Sequence, residues 1–96
     1  MFDIHRWADW ASQQTSALRA QGFDASFTFA EGSSCFFVDL DKDSTLGRII
    51  FWSTGAVDMS VHRNSREPLP IRDLPAKVTD TNFEAIFDRF VETVNR

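Results

Sequence analysis

The 96-residue chain carries a formal charge of −4 and a pI near 4.9, which argues against a protein that grips a phosphate backbone, because such proteins need clustered Lys and Arg. Its 43% apolar content, with ten Phe, three Trp and no Tyr, suffices for one core of large rings, so a single domain over residues 1–96 is expected. No apolar run approaches the ~20 residues of a membrane span, MFDIHRW opens with an acid and lacks a signal peptide's apolar stretch, and Cys35 has no second cysteine to pair with, so a cytoplasmic location and no membrane partner are expected.

Asp3 reads as the N-cap of a helix running to about Gln21, with Gly22 as its stop. Ile4, Trp7, Ala8, Ala11, Thr15 and Leu18 fall on one side at 100° per residue, and Trp10 sits at the edge of that stripe. From Phe23 to Glu31 the pattern changes to period two, with Phe23, Ala25, Phe27 and Phe29 on one face of a strand. Gly32-Ser33 reads as a type II′ loop, which sets Phe29 opposite Phe36, Phe27 opposite Val38 and Ala25 opposite Leu40.

Residues 41–46 read as a polar connection. Beyond it, pairing Leu40 with Gly47 aligns Val38 with Ile49, Phe36 with Phe51, Phe37 with Ile50, and Asp39 with Arg48. The next hairpin fixes the register most firmly. A three-residue loop Ser53-Thr54-Gly55 places Phe51 opposite Val57 and Ile49 opposite Met59, so that one face holds Ile49, Phe51, Val57, Met59 and Val61. A two-residue loop would set Phe51 against Asp58, because a slip of one residue exchanges the faces. All three hairpins agree on which face is inside, and this mutual consistency specifies a four-stranded antiparallel meander.

The segment 65–78 holds all three prolines and is expected to cross the molecule as an ordered loop. Thr81 with Glu84 as a capping box, or Asp80 as the cap, starts a second helix whose one side carries Phe83, Ile86, Phe87, Phe90 and Val94. The order is αββββα, an α+β fold. Two ~10 Å helices match the width of four strands ~4.8 Å apart, so a two-layer sandwich is expected, while the sequence leaves open whether both helices share one face.

Few residues point to chemistry. Asp39, Asp41 and Asp43 have the spacing of a calcium loop, but Ser44 stands where glycine is needed and Ile50 where a bidentate glutamate is needed. His5, His62 and Cys35 have no zinc-ligand spacing, Cys35 reads as a small half-buried hydrophobe, and no glycine-rich phosphate loop or catalytic triad context appears. Asp39 and Asp58 lie on a sheet face with no evident pocket to raise a pKa. No metal, cofactor or catalytic residue is therefore expected, and the chain reads as a binding protein rather than an enzyme.

Two surfaces suit a partner. On the outer sheet face, Phe37, Ile50, Trp52 and Cys35 form an apolar centre bordered by Asp39, Arg48, Asp58, Ser60 and His62, the pattern of aromatic anchors inside a charged rim. Equally open is that the 65–78 loop, through Leu69, Ile71 and Leu74, or one of the helices covers this face. The second surface is the row Asp80, Glu84, Asp88 and Glu92, which suits a cationic partner but is also what a solvated helix face looks like.

The stretch Gly47-Arg48-Ile49-Ile50-Phe51-Trp52-Ser53-Thr54-Gly55, followed by Asp58, resembles the TriTu type of bacterial immunity protein, with Ser-Thr-Gly in place of a short acidic turn. The resemblance maps Gly47, Arg48, Trp52, Ser53, Gly55 and Asp58 and extends loosely from the second strand through the C-terminal helix. It implies a stoichiometric binder, monomeric when free, forming a heterodimer with an ADP-ribosyltransferase toxin domain. Such toxins are Rhs-associated, delivered by a type VI secretion system and directed at elongation factor Tu. A secretion chaperone holding an unfolded effector segment is the alternative, and it would be a dimer. An enzyme reversing the toxin's modification would need a pocket that the sequence does not display.

Overall fold

A computed structural model describes residues 2–30, 32, 34–63 and 77–95. The first helix, α1, spans Ile4–Ala20 and is followed by strands β1 (Asp24–Ala30), β2 (Cys35–Lys42), β3 (Thr45–Trp52) and β4 (Val57–Arg63), then by α2 (Phe83–Asn95). The strands form one antiparallel sheet in sequence order. The expected αββββα meander is what the chain adopts.

Both ends of α1 follow from local chemistry. The Asp3 carboxylate accepts from the Arg6 N–H at 3.2 Å, satisfying one donor of the first turn. At the other end Gly22 takes φ +98°, so that its N–H reaches the Arg19 carbonyl and the Phe23 N–H reaches the Leu18 carbonyl, both at 3.1 Å. That pair of bonds is the Schellman arrangement, which favours glycine at this position. The six residues of the expected stripe are the buried residues of α1.

The registers agree with the sequence arithmetic at every expected pair, including Phe29 with Phe36, Val38 with Ile49, and Phe51 with Val57. The three-residue loop after β3 also stands. Trp52 N–H donates to the Ala56 carbonyl and Gly55 N–H to the Trp52 carbonyl, each at 2.9 Å, and Gly55 supplies the left-handed φ of +91°.

Three local expectations need correction. Gly32 does not take the positive φ that leads a type II′ turn, whereas Ser34 does take one, at +49°. Residues 41–46 are mostly strand: Asp41 pairs with Leu46 and Lys42 with Thr45, leaving Asp43-Ser44 as the turn, with Asp43 at φ +54°. A short polar side chain tolerates that conformation, so the ladder continues further than a run of polar residues suggests. Neither cap expected for α2 forms. The Thr81 hydroxyl pairs with that of Thr79 at 2.8 Å, and the Asp80 carboxylate turns to α1, accepting from the Asp3 N–H at 3.0 Å and from Trp7 Nε1 at 2.7 Å. The turn instead begins with the Thr79 carbonyl accepting from Phe83 N–H, while Asn82 Oδ1 accepts from Thr79 N–H.

The helices lie side by side on one face of the sheet. α1 rests on β1 and β2, and α2 on β2, β3 and β4. Their apolar sides and the inward residues of the strands form one buried cluster, which includes Phe36, Val38, Leu40, Ile49, Phe51, Met59 and Val61. Phe83 is its hub, with its ring 4.5 Å from Phe51 and 4.6 Å from Trp7, and with contacts to Phe2, Trp10, Phe36 and Phe87. α2 sits so close to β3 that a Cβ on Gly47 would lie 2.6 Å from Val94 Cγ2 and 3.0 Å from Phe90 Cε1. The proline-bearing crossing lies outside the described residues apart from Lys77 and Val78. Val78 is buried, and its N–H donates to the Gly55 carbonyl at 2.7 Å.

Candidate functional site

Strand alternation puts the remaining side chains on the opposite face, and the registers arrange them in rows across the sheet. Ala30, Cys35 and Trp52 make the first row, and Thr28, Phe37, Ile50 and Asp58 the second. Ser26, Asp39, Arg48 and Ser60 make the third, and Asp24, Asp41, Leu46 and His62 the fourth. The structure therefore brings Trp52, Phe37, Ile50, Asp39, Arg48, Asp58 and His62 onto one surface, as their alternation suggested. Trp52, Phe37 and Ile50 are half-buried, and none belongs to the core cluster or packs against it. The helices do not cover this face. Whether residues 65–76 approach it lies outside the described residues.

Two polarities divide the surface. At one end the rings of Phe37 and Trp52 stand with Ile50 and with Cys35, which is buried rather than half-buried. At the centre Arg48 links the halves: its Nε and Nη2 donate to the two Asp39 oxygens at 2.6 and 3.0 Å, and its guanidinium lies 4.5 Å from the Phe37 ring centroid. A bidentate pair with a stacked aromatic fixes the guanidinium plane, so Arg48 enters any contact already oriented. Because the pair is exposed, its contribution to folding is small.

The other end is acidic. Asp24, Asp39 and Asp41 gather around a shallow depression of about 390 Å³ that Leu46, Arg48, Ser60 and His62 also line. The Asp41 carboxyl is held above its ordinary range, first by burial and then by the charges of Asp24 and Asp39, with partial relief from the Gly47 N–H. Leu46, 49% exposed, is the most open large apolar side chain among the described residues. Sequence reasoning missed it because the segment was assigned to a connection, although the alternation of Leu46, Arg48, Ile50 and Trp52 runs unbroken through TLGRIIFW.

The second expected surface is reduced. Glu84, Asp88 and Glu92 are exposed on α2, but Asp80 is engaged with the start of α1, and those two N–H groups hold its carboxyl below the usual range. Among the described residues, no group of three or more His, Cys, Asp or Glu side chains is placed to hold a metal ion. No helix among them is long and apolar enough to cross a membrane.

No curated protein and no solved structure matches the chain. Residues 5–93 match the family described as immunity protein TriTu, so the match spans both helices and all four strands and reaches well beyond the hairpin motif that first suggested it. The chain belongs to the TriTu family of immunity proteins.

Proposed function

We propose that this immunity protein neutralises an ADP-ribosyltransferase toxin domain by seating the outer face of its sheet on the toxin's NAD or target-binding cleft. The complex is a one-to-one heterodimer in the cytoplasm, and the immunity protein is monomeric when free. The toxin is of the Rhs-associated kind delivered by a type VI secretion system, with elongation factor Tu as its target. Trp52, Phe37 and Ile50 supply the desolvated centre of the contact, while Asp39, Arg48, Asp58 and His62 form the charged border that sets orientation. The observation that carries this reading is that both helices bury only the inner face, which leaves three large apolar side chains outside the core.

Occupying a cleft turns nothing over, so inhibition should be stoichiometric. Titrating the chain into a fixed amount of its cognate toxin domain, while following NAD consumption, should give a linear loss of activity with a break at one equivalent. Inhibition completed far below one equivalent would mean that the chain acts catalytically and would contradict the proposal.

A further inference from the structure

The free edge of the sheet offers a second recognition surface. β1 is an edge strand, and its residues alternate between facing β2 and facing outward. The Ala25 carbonyl points outward, since it accepts from Arg19 Nε at 2.7 Å. The same parity follows from the other side of the sheet. Trp52 N–H bonds toward β4 and Ser53 N–H to the Ser34 carbonyl, which makes Cys35 and Ala30 face each other and turns Phe29 and Phe27 away. The N–H and C=O groups of Phe27 and Phe29 thus line the free edge at a repeat of roughly 7 Å, and none of the described residues bonds to them.

Beside that edge the helix layer stands open. A groove of about 690 Å³ runs between α1 and β1, floored by Ile4, Ala8, Phe27 and Phe29 and rimmed by His5 and Asp9. Here the phenylalanine row is only half-buried, in contrast to Ala25 further along the strand. The His5 ring stacks on Phe29 with centroids 5.6 Å apart, which closes one end of the floor. Asp9 is the groove's acidic group, on an exposed turn of a chain whose net charge is −4.

We propose that this edge and groove receive an extended segment of the toxin, which pairs with Phe27 and Phe29 as a fifth strand. It places an apolar side chain on the floor and an adjacent Lys or Arg against Asp9. Only an extended polypeptide satisfies backbone groups at the strand repeat while filling a hole on one side, which is the logic of strand addition. Asp9 sets the charge of the occupant, and Arg19, already on the Ala25 carbonyl, stops the added strand at that end. The proposal needs a toxin partner, as the proposed function does, but it does not need the outer sheet face.

Residue-resolved amide exchange on the intact chain, free and saturated with its cognate toxin domain, tests this. The Phe27 and Phe29 amides should exchange freely in the unbound protein and slow by at least about tenfold in the complex, whereas Thr28, already bonded to β2, should change little. Ser12 also lines the groove from α1, so Ser12→Trp, which narrows it, and Asp9→Lys should each weaken binding by about tenfold in folded protein. A complex that forms with Phe27 and Phe29 exchange unchanged would overturn this inference and leave the outer-face reading standing. Absence of any complex would overturn both.

Discussion

The two faces of one sheet are built from neighbouring residues of the same four strands, yet they have opposite fates. On the inner face Phe36, Val38, Ile49 and Phe51 are fully buried beneath two helices. On the outer face, one residue away, Phe37, Ile50 and Trp52 stay half-exposed and outside that core. A folded chain that retains three large apolar groups on a face its helices do not cover has satisfied its own stability elsewhere. Among the described residues, nothing from the helix layer packs on those groups. The difference separates residues that hold the fold from residues that stand outside its core.

Substitutions should divide along the same line. The largest loss of stability is expected from Phe83→Ala, which empties the centre of the aromatic cluster and should cost about 3–5 kcal/mol in denaturant unfolding. Gly47→Ala comes next. Its added methyl meets Val94 and Phe90 of α2, and the overpacking should cost about 1–3 kcal/mol while leaving the toxin affinity of the folded fraction intact. If that variant were as stable as the parent, the close approach of α2 to β3 would be wrong.

Smaller effects depend on pH. The Asp80 carboxyl is depressed by the Asp3 and Trp7 N–H groups, so its contribution is present above the ordinary carboxylate range and is lost as the pH falls through its folded-state value. Asp80→Asn should therefore lower the Tm at pH 7, with the gap to the parent narrowing below about pH 4. Asp41 has the opposite sign. Its raised folded-state value means that ionisation costs the folded state, a cost absent at low pH that appears as the pH rises through that value. Asp41→Asn should raise the Tm slightly at pH 7 and leave it unchanged near pH 3, and a lower Tm at pH 7 would show that the carboxylate is needed as an acceptor.

The sheet was readable because its information is redundant: three hairpin registers each place phenylalanines opposite apolar partners, and all three agree. The stripe of α1 was readable for a similar reason, with Asp3 and Gly22 marking its ends. Turn details were not, because a single left-handed residue such as Ser34 or Asp43 follows from the geometry of both flanking strands rather than from its own identity. The caps of α2 were misread because Asp80 has two possible employments, and the long-range bonds to Asp3 and Trp7, 77 and 73 residues away, have no local trace. The outer-face rows were legible from alternation, but Leu46 and the acidic end emerged only when the strands proved longer than their polar residues implied. The groove beside β1 depends on where α1 rests over the sheet, which periodicity does not specify.

Trp52→Asp, titrated against the toxin domain by calorimetry alongside the parent, tests the docking surface most directly. Trp52 lies outside the core, so the variant should keep the parent's Tm and far-UV spectrum and lose about 2 kcal/mol or more of binding, roughly 30-fold in Kd. A folded variant that binds as tightly as the parent would contradict the assignment of the outer sheet face.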